Sequence, residues 1–234
     1  MRDKYRNLEY FNNCIANAHK TLSLYEAYMG KAVTPRHKEG LVQHRIITSI
    51  TLCSALYSAG NEKREILAAY LDGLRFFCED FKWKGFAKHY GGYDIMVWFV
   101  SIGILLGIED ADFFKLCEAI KRNNAKDWIL DKLIHSRMPS WELSSTFIQK
   151  EPYQFTQNIF DSKGIREYLK KRWYNGHRDA AWHESHKLPG VFAYFGYWSW
   201  ESAALVKVLG INDYELKELD FYPYDAVHWN DPIV

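Results

Sequence analysis

Apolar residues recur at steps of three and four over most of the chain, the spacing that gathers them on one stripe of a helix. Leu8, Phe11, Ile15, Ala18, Leu22 and Tyr25 form such a stripe and predict a long first helix. A second helix is predicted to begin after Pro35 and to run to about Ala59. There Gly60 can take a positive φ and Asn61 offers a side-chain oxygen to cap the next helix. Ile66, Leu67, Tyr70, Leu71, Leu74 and Phe77 define the buried face of that third helix. Further helices are predicted at about 92–106, 111–122, 124–135, 161–175, 197–209 and 213–219. Alternating two-residue patterns with turn dipeptides between them are nearly absent, so the fold class is all-α.

The pattern repeats. Gly92-Tyr93 opens an apolar helix closed by Leu106-Gly107-Ile108-Glu109-Asp110, and Gly196-Tyr197 opens another closed by Leu209-Gly210-Ile211-Asn212-Asp213. Each ending reads as one C-terminal cap: a left-handed Gly, an Ile folding back on the last turn, then polar residues starting the next helix. Two such units imply a helical bundle of two similar, tightly packed halves produced by internal duplication. The expected organisation is an N-terminal half at 1–137, a connecting segment at 138–158 and a C-terminal half at 159–234. Pro139 and Pro152 mark the connection, and Trp141, Leu143, Phe147, Ile148, Tyr153 and Phe155 are expected to anchor it to the helices.

Composition narrows the function. Aromatic residues are 17% of the 234, too much bulk to leave in water, which excludes a disordered chain. A formal charge of +1 gives no global field for nucleic acid, so any electrostatic role is local. Cys14, Cys53, Cys78 and Cys117 have no close pairing and read as reduced, apolar residues. Met1 to Arg6 carries no secretory pattern, and the charge-free runs 46–61 and 95–108 fall short of the roughly 20 apolar residues of a membrane span. The expectation is a cytoplasmic protein without membrane contact.

Candidate chemistry is sparse. His177, His183 and His186, with Asp179 or Glu184, could supply ligands to a transition metal and so make a small metal-dependent enzyme, although no His-Glu-x-x-His motif is present. Glu201 lies in the aromatic helix, where a raised pKa could make it a general acid. The competing expectation is a structural Glu paired with Arg172, Arg178 or a His such as His183. No phosphate loop or nucleophile elbow is visible, and no cofactor is implied. Acidic residues cluster after both caps: Glu109, Asp110 and Asp112 after the first, and Asp213, Glu215, Glu218, Asp220, Asp225 and Asp231 after the second. Glu109, Asp110, Asp112, Asp213, Glu215 and Glu218 are therefore expected to share one face as candidate contacts for a basic partner. Lys163, Arg166, Lys170, Lys171 and Arg172 read as a solvated basic stripe.

The stretch GYWSWESAALVKVLGINDYELKELDFYPYDAVHW, from Gly196 to Trp229, resembles the C-terminal signature of the PoNi-type immunity proteins. The features that carry the resemblance are Tyr197, Trp198, Trp200 and Glu201, the Gly210 cap with Asp213, and Tyr222-Pro223-Tyr224-Asp225. The Tyr93 helix and its Leu106-Gly107-Ile108 cap are similar, less distinctively, to the family's N-terminal domain. The resemblance implies an α-helical protein without catalytic activity. Its partner would be a cognate PoNe-type DNase toxin, delivered by contact-dependent or type VI secretion in interbacterial competition. The signature residues themselves read as structural rather than as toxin contacts.

Overall fold

The computed structural model describes residues 1–31, 34–82, 91–189 and 193–230. Asp231 of the acidic run lies outside them. Described residues form ten α-helices, with no strand among them. None of these helices is long and apolar enough to cross a membrane.

The N-terminal elements are α1 (Leu8–Met29), α2 (Pro35–Ala59) and α3 (Lys63–Asp80). α1 and α3 both pack against α2. Gly60 closes α2 in the left-handed conformation at φ 96°, as expected. The cap of α3 differs by one residue: Glu62 is the N-cap, and the Glu65 carboxylate accepts from the Glu62 amide at 3.2 Å and the Asn61 side chain at 3.0 Å. Leu71 is exposed and Leu67 half-buried, because α3 turns Ile66, Tyr70, Leu74 and Phe77 inward and leaves its outer edge to solvent. On α1 only Phe11 and Cys14 are buried, and Leu8 is exposed.

α4 (Gly92–Leu106) is the centre of the molecule, with all 15 of its residues buried. It packs along α9 (Trp200–Leu209), the helix of the second repeat unit. The two run parallel. Glu201, in the first turn of α9, is close enough for Asp94, in the first turn of α4, to push its carboxyl up. At the other end, the Asn230 amide donates to the Leu105 carbonyl at 2.9 Å and the Lys207 ammonium to Val227 at 2.6 Å, so one C-terminal segment ties both helix ends. Two similar helical halves thus meet along a central pair.

α5 (Asp110–Arg122) follows the first cap. α6 (Trp128–His135) begins four residues later than its pattern predicts: Asn124 takes φ 47°, and Asp127 then caps the helix by accepting from Ile129 and Leu130. The segment after α6 is irregular but held down. Thr146 accepts from the Trp128 amide at 2.7 Å, Asp127 from Ile148 at 2.9 Å, and Asp131 from the Trp141 indole at 2.8 Å. Tyr153 is fully buried, whereas Leu143 is exposed and anchors nothing. α7 (Ser162–Tyr168), a π turn (Leu169–Trp173) and α8 (Tyr174–Gly176) make one continuous rod capped by Asp161.

Two further predicted helices are shorter than expected. α9 starts at Trp200, not at Tyr197, because Gly196 holds φ 106° against Ser58 of α2 and the chain turns tightly at Ser199, where the Trp200 amide donates to the Trp198 carbonyl at 3.0 Å. The expected 213–219 helix is a 3-10 turn over Tyr214–Leu216, followed by turns and α10 (Tyr224–Val227).

Candidate partner-binding surface and buried polar core

The acidic residues after the two caps meet different environments. Glu109 is exposed at the N-cap of α5; Asp110 is exposed and pairs with Arg137; Asp112 pairs with Lys115 at 2.9 Å. After the second cap Asp213 is buried, with Tyr222 donating its hydroxyl at 2.7 Å and the His228 ring 3.1 Å away. Asp213 is therefore a packing residue and has no oxygen to offer a partner, which corrects its place among the expected contacts. Glu215 accepts from Ser162 and faces Arg166 at 3.9 Å, while Glu218 is exposed.

Asp220 and Asp225 of the C-terminal run are stitched to the start of the chain. Asp225 pairs with Arg2 at 2.5 Å, Asp220 pairs with Lys4, and Asp3 accepts from the Tyr194 hydroxyl and from the Tyr5 and Arg6 amides. Residues 2–6 thus form a strap that sequence reasoning missed. The only local signal was alternating charge over Arg2, Asp3, Lys4 and Arg6.

The signature residues pack. Tyr197 is buried, with its oxygen 2.8 Å from the His186 ring; Trp198 donates to Ser58 at 2.8 Å and Trp200 to Ser54 at 3.1 Å. Gly210 has the left-handed cap conformation, and Pro223 precedes the first residue of α10. Asp225 bonds across the molecule to Arg2.

Glu201 is fully buried without a cation. It accepts from Ser199 at 2.7 Å and Tyr168 at 3.0 Å, and Arg172, Arg178 and His183 are not its partners. Burial pushes its carboxyl up to about 7, and Asp94 adds to the rise. Nearby, the Tyr153 oxygen lies 2.7 Å from Asp94 and 3.2 Å from His177, whose other ring nitrogen lies 2.7 Å from the Trp173 carbonyl. Desolvation raises Asp94 and lowers His177, so burial favours the neutral form of each. A carbonyl can only accept, so the His177 Nδ1 facing Trp173 carries a proton, while the Tyr153 hydroxyl donates its one proton to Asp94. Asp94, Asp127 and Asp131 were not expected as buried carboxylates, although Asp127 ahead of the apolar run Trp128-Ile129-Leu130 has the form of an N-cap.

The three histidines do not converge. His177 is spent as above, His183 packs on Tyr174 at 4.2 Å, and His186 turns to Tyr197. Glu184 is paired with Lys187. Among the described residues no three His, Cys, Asp or Glu side chains form a metal-binding group, which removes the basis for the metalloenzyme alternative. The four cysteines are free thiols, and burial raises Cys14, Cys78 and Cys117 to about 11, 11 and 12.

The chain is thus an all-α protein of two halves with a sealed polar core and exposed acidic side chains in its loops. Residues 7–118 match the N-terminal model of the PoNe immunity proteins (PoNi) and residues 125–226 their C-terminal model. The chain belongs to the PoNe immunity protein family. Among solved structures it is similar to protein PA2201 from Pseudomonas aeruginosa, with a TM-score of 0.73 and 17% identity over 97% of this chain and 90% of that one. That likeness concerns the fold alone. No curated protein sequence shows a significant match.

Proposed function

We propose that this protein neutralises a cognate bacterial DNase toxin by stoichiometric occlusion, in the cytoplasm of the cell that carries it, against toxin delivered in interbacterial competition by a route such as type VI secretion. It runs no reaction of its own. The carboxylates and imidazole with the chemistry for catalysis, Glu201, Asp94 and His177, are 0%, 6% and 3% exposed, out of reach of a substrate. The observation that supports the reading is the match of both halves to the immunity family, with α4 and α9 running parallel and one C-terminal segment bonded at the ends of both. A DNase presents a cationic cleft to phosphates, and an acidic surface competes there with gains in association rate and specificity. Glu109, Asp110, Asp112, Glu215 and Glu218 are the proposed contacts, with Asp213 shaping the second loop from inside. No bound nucleic acid, cofactor or metal enters the mechanism.

Combined Glu109→Lys, Asp110→Lys and Glu218→Lys substitutions test it, since all three side chains are exposed. Association with the toxin should slow about ten-fold or more at low ionic strength, with the difference shrinking as salt is added. Unchanged association, with full protection of toxin-expressing cells, would remove this face from the mechanism.

A further inference from the structure

α1 presents an anomaly of burial. From Ala18 to Met29 it carries Leu22, Leu24, Tyr25, Tyr28 and Met29, yet none of its residues there is buried. Beside it runs a groove of about 720 Å³, walled by α1 and α3 and floored by α2. The walls have helical logic. Ile15, His19, Leu22 and Glu26 share one stripe of α1, and Glu65, Ala68, Ala69 and Asp72 fall at i, i+3, i+4 and i+7 on α3. Leu52 and Leu56 of α2 lie between them. The middle of the groove carries the small residues Ser23, Ala68 and Ala69, with Glu26 and Asp72 at one end and Glu65, which also caps α3, at the other.

The guanidinium among its lining residues is withdrawn. Arg45 is anchored to Glu26 and Asp72, with 7% of its side chain exposed against 64% and 33% for the two carboxylates. Solvent, or a partner, therefore meets carboxylates rather than the guanidinium. The Glu65 end adjoins the α4 cap, where Lys63 pairs with Asn230 and Asn230 holds Leu105.

We infer that this groove is a docking site for a basic amphipathic helix of the toxin. A fourth helix laid over the crevice between α1 and α3 would place one apolar stripe on Ile15, Leu22 and Ala68, with Leu52 and Leu56 buried beneath them. Lys or Arg residues seven apart on that helix, about 10 Å, match the separation of Glu65 and Asp72. This inference rests on the immunity reading and adds to it a specific grip away from the acidic loops.

The test uses the intact chain and a catalytically inactive form of its cognate nuclease. Hydrogen exchange of the complex should slow at Ile15–Glu26 and Glu65–Asp72. Ala68→Trp, a change at an exposed position that fills the groove, should weaken binding about 30-fold while leaving the thermal midpoint unchanged. A complex with protection elsewhere, or with unaltered affinity for Ala68→Trp, overturns the groove and leaves the immunity reading standing. If the chain alone is a dimer that Ala68→Trp splits, the occupant is a second copy and the assignment to the toxin fails. If no complex forms with the nuclease, the immunity reading fails first and the groove assignment with it.

Discussion

The two repeat units share a buried apolar helix and its cap, and part company after it. Gly107 and Gly210 both sit at φ 64°, and each following Ile reaches back from C″ to the carbonyl of C3: Ile108 to Gly103 at 3.2 Å and Ile211 to Val206 at 3.1 Å. Asp110 and Asp213 then occupy the same place in the repeat with opposite fates, their side chains 99% and 6% exposed. After the first cap, Phe113, Leu116, Cys117 and Ile120 supply four apolar positions at helical spacing, and the 13-residue α5 forms. After the second there are only Leu216 and Leu219 before Phe221-Tyr222-Pro223, so the chain makes one 3-10 turn and Asp213 folds inward onto Tyr222 and His228. A cap is a local device, whereas the element it introduces depends on the apolar residues that come next.

The sharpest way to break this comparison is Trp200→Ala. The side chain is 1% exposed at the start of α9, and a buried Trp of this kind is worth about 3–5 kcal/mol, so protection should vanish with the folded protein itself. A variant that kept its thermal midpoint and lost toxin binding would make the second unit an interface instead. Next is Glu201→Gln. The carboxyl stands at about 7 when folded against an ordinary 4.5, so the stability held by its neutral form is complete below about 4.5 and is lost as pH rises to about 7. Gln cannot ionise. The two proteins should unfold at similar urea concentrations near pH 4, and the variant should be more stable by roughly 3 kcal/mol near pH 8. His177, held neutral by burial, acts in the opposite sense below its ordinary 6.5 and is common to both proteins.

Smaller effects sharpen the contrast between the loops. Asp213→Ala leaves the buried Tyr222 hydroxyl without its acceptor and should cost about 1–3 kcal/mol. Asp110→Ala removes one surface ion pair and should cost less than about 1 kcal/mol in the same denaturation series. Equal costs would show that the loops are equivalent after all. Last, a left-handed Ala should cost about 1–2 kcal/mol at either cap. Gly107→Ala should be the worse, because its new methyl would meet the Asn230 amide at 3.1 Å, whereas nothing lies within 4 Å at Gly210.

Legibility in the chain tracks the range of the interactions involved. α4 was legible end to end, since its apolar run and its Gly cap are contiguous. The start of α9 was not. Tyr197 and Trp198 look helical by bulk alone, but a Cβ on Gly196 would come within 2.1 Å of the Ser58 oxygen, a constraint set 138 residues away. The burial of Glu201 was foreseeable from its aromatic neighbours, while its partner Tyr168 belongs to another helix. The acidic character of the candidate face was plain in the residues themselves. Its partial neutralisation was not, because Arg137 and Arg166 answer Asp110 and Glu215 from other parts of the chain.

Burial of α4 on every side has a consequence for biosynthesis. Its partner α9 is encoded about a hundred residues later, which at a typical 5–20 residues per second leaves roughly 5–20 s between their appearances on the ribosome. Throughout that interval an almost wholly apolar helix has no native neighbour along one side, and the strap at residues 2–6 has no acidic segment to clasp. The nascent first half must wait, shielded by chaperones or by its own collapse, for the second half to complete it.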